Sequence, residues 1–541
     1  MNKLYYGDCL TIMQQMKLGS VDLVYLDPPF NSNRDYNAIY KDETGRPLPD
    51  QIEAFADLWK LDDDRLHAIQ MMPVLMRDAG IEDHVAELWR IWMNALRKSQ
   101  PRLLAYLSYM TERLLVLRGL VKPTGSIYLH CDPTASHYIK VLMDGIFGHD
   151  NFRNEVIWKR KAGRGETSNK AIRFGVSHDV ILFYAASPAA PLARQYRPSN
   201  PDYIATKFTH VDAKGRRYRL DNLTSPSYRP NLVYEYKGYS PPPNGWAVSR
   251  ERMEEMDAEG RLYFPANKSQ RIQRKRFLDE LEGETVDDLW DDIAPINSQA
   301  KERLGYSTQK PVALLKRIIQ ASSNEGDVVL DPFCGCASTI EAAHILKRRW
   351  IGIDIAIHAI KRVAKVRLED RLGLREGIDF TIEGVPHSME GAQDLWERDK
   401  HHFQKWAIEQ IDGFVTSRKT ADGGIDGRLY FSLPNDTQLK SMVLEVKGGR
   451  NVNISVVRDL RGTLERDGAH MAGLIILHDL GERKTMNFRR EMAEAGELDV
   501  LGIRYPRMQL LTVEEILKDK RFLTPSVARG RGQAQPNLPL G

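Results

Sequence analysis

The most chemically loaded segment of the 541-residue chain is Asp27-Pro28-Pro29-Phe30. It follows Val21-Asp22-Leu23-Val24-Tyr25-Leu26, a short apolar run that reads as a strand. Two consecutive prolines lack the amide donors that a strand ladder needs, so the strand must stop there in a rigid loop. That loop carries a carboxylate, a fixed carbonyl at Pro28 and an aromatic ring. The set suits transfer of a methyl group to the exocyclic amine of a nucleobase. Such a nitrogen is a poor nucleophile, because its lone pair is delocalised into the ring. The Asp27 carboxylate and the Pro28 carbonyl can orient the amine while Phe30 holds the base flat, and positioning then supplies much of the rate. A base inside a duplex reaches such a pocket only when flipped out. Taken alone, the tetrapeptide reads equally well as a proline turn beside a buried phenylalanine.

A second segment lies about 300 residues downstream. Asp327-Val328-Val329-Leu330 reads as a strand, and Asp331-Pro332-Phe333-Cys334-Gly335-Cys336-Ala337-Ser338-Thr339 then opens a helix. A strand that turns through glycine into a helix points backbone N–H groups at a ligand. About twenty residues later Arg349-Trp350-Ile351-Gly352-Ile353-Asp354 reads as another strand, ending in an acid placed to accept hydrogen bonds from ribose hydroxyls. Gly335 permits close backbone approach, and the small Ala337 and Ser338 keep the pocket open. The GxGxxG dinucleotide fingerprint is absent. By itself this segment also fits an ordinary crossover.

The elements that must position these residues alternate in the α/β manner. Residues 101–121 show helical apolar spacing, Lys122-Pro123-Thr124-Gly125 stops that helix, and Ser126–His130 follows as a strand. A helix near 135–147 and strands near Glu155–Trp158 and Val180–Tyr184 continue the pattern, whereas 41–100 read as a charged, mainly helical insertion. From about 186 to 305 the rhythm dissolves into proline, tyrosine and arginine, and at 306 it resumes. The expected fold is therefore α/β with parallel strand pairs.

In this order the segments resemble the amino-group DNA methyltransferases of the permuted "beta" arrangement, which include the modification subunits of type III restriction systems. There the catalytic D-P-P-[FYW] motif comes first, the target recognition region second and the cofactor motif last. The resemblance implies a Rossmann-like methyltransferase sheet that binds S-adenosylmethionine and methylates duplex DNA. Asp27, Pro28, Pro29 and Phe30 look like the catalytic motif. Asp331, Pro332, Phe333, Gly335 and Ser338 look like the cofactor loop, with Cys336 in the region of its usual second glycine, and Asp354 looks like the ribose acid. Thr308, Lys310 and Pro311 resemble the segment that helps enclose the cofactor, Gly7-Asp8-Cys9 the one bordering its adenine, and Phe174–Asp179 the one before a late strand. An aspartate in the first catalytic position is the usual adenine form, which implies N6-adenine; serine is usual for the N4-cytosine enzymes, the alternative. The methyltransferase parts are expected at 1–185 and 306–390, with a target recognition insertion at 186–305. In that insertion Arg271, Arg274, Lys275 and Arg276, with Tyr234, Tyr236, Tyr239 and Trp246, are candidates for phosphate and base contacts.

Residues 395–510 lie outside the methyltransferase pattern. Asp422-Gly423-Gly424-Ile425-Asp426-Gly427 precedes a strand (Arg428–Leu433), and Met442-Val443-Leu444-Glu445-Val446-Lys447 reads as another. Alternation puts Glu445 and Lys447 on one face. Asp426 and Glu445 offer hard oxygens for Mg²⁺, and Lys447 can orient or activate a water. The pattern resembles the Mrr-like branch of the PD-(D/E)xK restriction-endonuclease fold, a second α/β domain. It implies either a single chain that both cuts and methylates or a domain kept for DNA binding. An exposed strand with ordinary charges is the plain alternative. Residues 511–541 are expected to be a C-terminal segment with a disordered Gly/Pro/Gln/Arg-rich tail from Pro525.

Bulk properties narrow the field. The net charge of +4 does not by itself demand a nucleic acid, although Arg271–Arg276 and Trp158-Lys159-Arg160-Lys161 are basic clusters. Four scattered cysteines, with no CxxC, argue against a disulfide framework or zinc site and for a reducing cytoplasm. No apolar run long enough for a membrane span and no secretory leader are seen. Expected partners are double-stranded DNA, a restriction or helicase-type subunit and a second copy of the chain. A DNA-binding protein that has lost methylation is a rival reading, opposed by the intact Asp27, Pro28, Phe30 and Asp354.

Overall fold

The computed structural model describes residues 2–29, 59, 61–160, 175–297, 300, 302–304, 309–357, 359–416, 425–433 and 439–525. Phe30, Thr308, Asp422–Gly424, Phe174, Lys161 and the tail from Ser526 onward lie outside them. The chain divides into two compact units, one of residues 194–287 and the other comprising 1–193 and 288–541.

The larger unit is built on a nine-stranded sheet. Across it run Leu289–Trp290, Phe152–Lys159, His178–Ala185, Val121–Cys131, Val21–Leu26, Val328–Asp331, Arg349–Asp354, Asn2–Tyr6 and Phe380–Glu383. The six strands from Val121–Cys131 to Phe380–Glu383 are all parallel, and His178–Ala185 alone runs against its neighbours. Every residue of Val21–Leu26 is buried, as a central strand covered on both faces requires. The helix Pro101–Leu120 packs with Asp63–Asp78 and Asp83–Ser99 into the same core, through Leu104, Leu107, Met110 and Trp89. The charged segment after 60 thus covers the sheet, with its apolar stripe turned inward.

A second sheet carries the C-terminal region, in the order Phe414–Val415, Gly427–Phe431, Lys440–Lys447, Met471–Ile476 and Met508–Thr512. The helices Ser455–Asp467 and Glu482–Ala493 pack on it through Leu460, Leu464 and Phe488. Its folded part runs beyond 510. Met508–Thr512 is a full sheet member, Thr512 caps the helix Val513–Leu517 in a capping box, and the Phe522 ring lies where a Cβ on Gly473 would collide. The second sheet's domain therefore extends past the expected boundary at 510. Apolar Leu510, Val513, Ile516 and Phe522 are all buried, which composition of the tail alone does not reveal.

The smaller unit has a four-stranded sheet and its own core of Leu223, Tyr236, Tyr239, Trp246, Met253, Met256, Leu262 and Ile272. The irregular stretch is narrower than 186–305. Ala193 N bonds Ala321 O, and Leu289–Trp290 joins the large sheet, so both flanks belong to the larger unit. No helix among the described residues is long and apolar enough to cross a membrane.

Candidate active site

Parallel strands bring their C-terminal ends to one edge. There, six adjacent strands each finish on or just before an acid: Asp132, Asp27, Asp331, Asp354, Asp8 and Glu383. Ligands in open α/β sheets bind along this edge.

Asp27 sits directly after Val21–Leu26, with Pro28 buried behind it. Its Oδ2 receives the Lys310 ammonium at 2.5 Å, in a pair largely shielded from water. Lys310, expected beside the cofactor, thus meets the catalytic motif. Pro311 is buried and caps Val312–Ser322, which holds Lys310 at that height.

Beneath Asp27 lies a polar network that sequence reading missed. Tyr25 Oη and His130 Nδ1 are 2.8 Å apart, His130 Nε2 and Asp179 Oδ2 are 3.3 Å apart, and Arg160 Nε stands 3.0 Å from Asp179 Oδ1. Burial, then the Lys310 charge, lowers the His130 pKa against the opposing pull of the Asp179 hydrogen bond. Burial pushes the Asp179 carboxyl up, but the His130 bond and the charges of His130, Arg160 and Lys310 outweigh it and hold it low. Within the basic run Trp158–Arg160, Arg160 therefore serves this network, whereas Lys159 is exposed. Trp158 is buried, with Nε1 on Ile293 O at 2.9 Å.

The turn after Val328–Asp331 is shaped by two left-handed residues, Gly335 (φ 47°) and Ala337 (φ 59°). Ala337 adopts this conformation despite its Cβ, a strain that a built site retains. Phe333 N donates to Asp331 Oδ1 at 3.0 Å, and Cys334 N to Ile353 O at 2.9 Å. Gly335 N donates to Asp354 Oδ2 at 2.9 Å and Ala356 N to Asp354 Oδ1 at 2.8 Å. Each Asp354 oxygen keeps a further lone pair. Burial raises the Asp354 pKa against these N–H donors and raises that of Asp331 to about 7. Ser338 faces inward. Its Oγ accepts from the fully buried Arg367 at 3.0 Å, and Arg367 also holds Glu341 at 2.8 Å. Arg367 gives no local sequence signal, because its partners lie about 26 and 29 residues away.

At the next strand end Asp8 caps Cys9–Gln14 and pairs with Arg113 at 2.7 Å, whose guanidinium lies 3.4 Å from the Tyr109 ring centroid. Gly7 N donates to Asp354 O at 3.0 Å, joining the Asp8 and Asp354 ends.

In the C-terminal sheet, Glu445 is buried and its Oε1 lies 2.8 Å from Lys447 Nζ. Asp426 accepts from Val446 N at 2.7 Å and from Gln404 Nε2 at 3.3 Å. Burial raises both carboxyl pKa values, and each Glu445 proton is held further by the nearby Asp426 charge. Among the described residues no group of three His, Cys, Asp or Glu side chains comes together as a metal site.

In the smaller unit the aromatic expectation needs correction. Tyr236, Tyr239 and Trp246 are core residues, and their polar tips are bonded to Asp257, Pro265 O and Tyr234 O. A small core takes large aromatic bodies and satisfies their polar atoms internally. The basic residues stand otherwise. Arg219, Arg274 and Arg276 gather around Asp221, at 3.6, 2.9 and 3.0 Å, on one face of an antiparallel ribbon.

An open, mostly parallel α/β sheet with a glycine-bearing strand–turn–helix and acids along its carboxyl edge is the arrangement of the doubly wound class, whose ligands bind at that edge. The family model for the N6/N4 DNA methylases matches residues 21–365, more than half of the chain. The chain belongs to that DNA methylase family. It is 32% identical over 263 residues to the type II methyltransferase M.EcaI of Enterobacter cloacae, covering 48% of this chain and 57% of that protein. It is 28% identical over 367 residues to the StyLTI Mod subunit, a type III restriction-modification enzyme of Salmonella typhimurium, covering 64% of this chain and 50% of that protein. Against the DNA adenine methyltransferase YhdJ of Escherichia coli the identity is 47% over 360 residues, covering 66% and 80%. The chain spans 57% and 50% of the lengths of the first two of these relatives.

Proposed function

We propose that the chain is a site-specific DNA methyltransferase that uses S-adenosylmethionine to methylate the N6 amino group of adenine, flipped out of a duplex. The observation that carries this reading is the spacing of Asp27 and Asp354. They end strands separated by one strand, Val328–Asp331. At about 4.8 Å per strand, the amine-orienting acid and the ribose acid stand about 10 Å apart along the edge. A nucleoside ending in a sulfonium fits that span. The edge is rich in carboxylates, which suits a cationic cofactor and disfavours a pyrophosphate.

When bound, the cofactor supplies an electrophilic methyl group on a positively charged sulfur. Asp354 accepts the ribose hydroxyls through its spare lone pairs, and the loop around Gly335 lets the ligand approach the backbone. Asp27 Oδ1 and the Pro28 carbonyl take the two N–H groups of the target amine, while Lys310 pins Oδ2 so that Oδ1 cannot rotate away. The proton that the amine sheds on gaining the methyl group has Asp27 as its nearest acceptor. Adenine is favoured over cytosine because aspartate occupies the first motif position and because YhdJ, named for adenine, is among the relatives.

The Arg219–Arg274–Arg276 face suits DNA phosphates, and the likeness to a type III Mod subunit suggests a restriction subunit as partner. A second activity, Mg²⁺-dependent cleavage by the C-terminal sheet, is supported by the convergence of Asp426, Glu445 and Lys447.

Nucleoside mass spectrometry after incubation of unmethylated duplex DNA with isotopically labelled S-adenosylmethionine tests the main reading. Labelled N6-methyladenine is the expected product. Labelled N4-methylcytosine would overturn the adenine assignment, and an unlabelled pool with every duplex tried would overturn methyl transfer itself.

A further inference from the structure

The helix Lys400–Gln410 belongs by sequence to the C-terminal region, outside the segment matched by the family model. In the fold it lies against the methyltransferase edge. Its Glu409 Oε2 accepts Ile357 N at 3.0 Å, three residues past the ribose acid Asp354. The His402 ring stacks obliquely on Tyr6, with centroids 4.7 Å apart, and a Cβ placed on Gly7 would meet His402 Cε1 at 3.7 Å. Lys405 is near enough for its charge to act on both Asp354 and Glu409. The opposite helix face serves the second sheet. Gln404 donates to Asp426, and Ile408 packs where side chains on Gly413 and Gly427 would sit.

The inward face is chemically unfinished. Tyr6 Oη, His402 Nε2, Trp406 Nε1 and Gln410 Nε2 are shielded from solvent, and among the described residues none has a hydrogen-bond partner. His402, Trp406 and Gln410 are spaced four apart and form one stripe of the helix. Buried polar atoms are normally paired, so three on one helix stripe, with His402 against Tyr6, mark a place where a polar ligand or ordered water completes the structure. An adenine ring offers ring-nitrogen acceptors to the indole and amide N–H groups, and its faces suit Tyr6 and His402.

We propose that the helix Lys400–Gln410 is one wall of the adenosyl pocket, so that the C-terminal region completes the cofactor site of the methyltransferase in the same chain. His402 and Trp406 contact the adenine end, and Lys405 holds the geometry of the Asp354–Glu409 pair as a positioning residue. This rests on Asp354 being the ribose acid.

The test uses the full chain, with isothermal titration of S-adenosylhomocysteine and hydrogen exchange as readouts. Expected results are slowed amide exchange across 400–410 on ligand addition in the wild type, and at least tenfold weaker binding in His402→Ala and Lys405→Ala. Thermal midpoints separate lost binding from lost folding. If a variant fails to fold, wild-type exchange alone decides. Wild-type binding without protection of 400–410, or folded variants with unchanged affinity, would overturn the wall. A wild type that binds no adenosyl ligand would instead sink the proposed function and the wall with it.

Discussion

Lys310 and Asp27 are 283 positions apart in sequence, and Nζ meets Oδ2 at 2.5 Å. The contact ties the segment before the helix Val312–Ser322 to the loop after Val21–Leu26, proposed above to orient the target amine. Removing Asp27 should therefore end methyl transfer while leaving ligand binding within a few fold. Lys310→Met should lower turnover at least tenfold by freeing the carboxylate to rotate. Labelled-methyl transfer, read beside titration of S-adenosylhomocysteine, checks both, and near-normal turnover in Asp27→Ala would remove it from catalysis.

Asp354 collects the Gly335 and Ala356 N–H groups as well as the proposed ribose contact. Asp354→Ala should weaken adenosyl ligand binding by about tenfold or more, since charge-assisted hydrogen bonds to a buried acid are each worth about 1.5–3 kcal/mol. Unchanged affinity in a folded variant would refute the ribose role.

Asp331 offers a pH test. Its folded pKa is about 7, against 3.8 in the unfolded chain, so folding favours the neutral carboxyl. Its stabilising effect is complete below about pH 4 and is lost as pH rises through 7. Asparagine keeps an acceptor for Phe333 N and does not titrate. The stability of Asp331→Asn relative to wild type should rise between pH 5 and pH 8, by about 2.6 kcal/mol at most. Thermal midpoints across that range would show it, and a flat difference would mean Asp331 ionises normally.

If the second sheet cleaves DNA, Mg²⁺-dependent nicking should vanish in Lys447→Ala and persist in Asp27→Ala. Plasmid assays with unmethylated and foreign-methylated DNA separate the two. Cleavage retained in Lys447→Ala would exclude this site as its source.

The basic ribbon gives a binding prediction. Arg274→Ala with Arg276→Ala should weaken DNA binding uniformly across sequences and reduce the salt slope by about two. Fluorescence anisotropy against salt reads it directly, and an unchanged slope would mean that Asp221 has claimed these arginines for the fold.

Much of the sheet was legible because its strands are short, apolar and punctuated. Val21–Leu26 stops at two prolines, and Arg349–Asp354 fell on its observed limits. Asp354 closes its strand, and Gly335 falls in the turn between the end of Val328–Asp331 and the helix Ser338–Ile345, so both positions follow from the strand ends. What could not be read were contacts between distant segments. Arg367 reaching Ser338, and His130 linking Tyr25 to Asp179, depend on which strands become neighbours. The tyrosines of the insertion misled because aromatic residues serve a small core as readily as a nucleic-acid surface; only burial distinguishes Trp246 from a base-stacking tryptophan.

Asn2–Tyr6 is hydrogen-bonded on one side to Arg349–Asp354 and on the other to Phe380–Glu383. This strand is therefore synthesised before both of its partners, which follow it by more than 340 residues. At translation rates of about 5–20 residues per second, it waits about 20–80 s with two open edges. The unit at 194–287 closes on its own contacts in the meantime. Synthesis thus delivers a finished insertion before the sheet that carries it is sealed, and the interval exposes a short apolar edge to chaperones or to a second nascent chain.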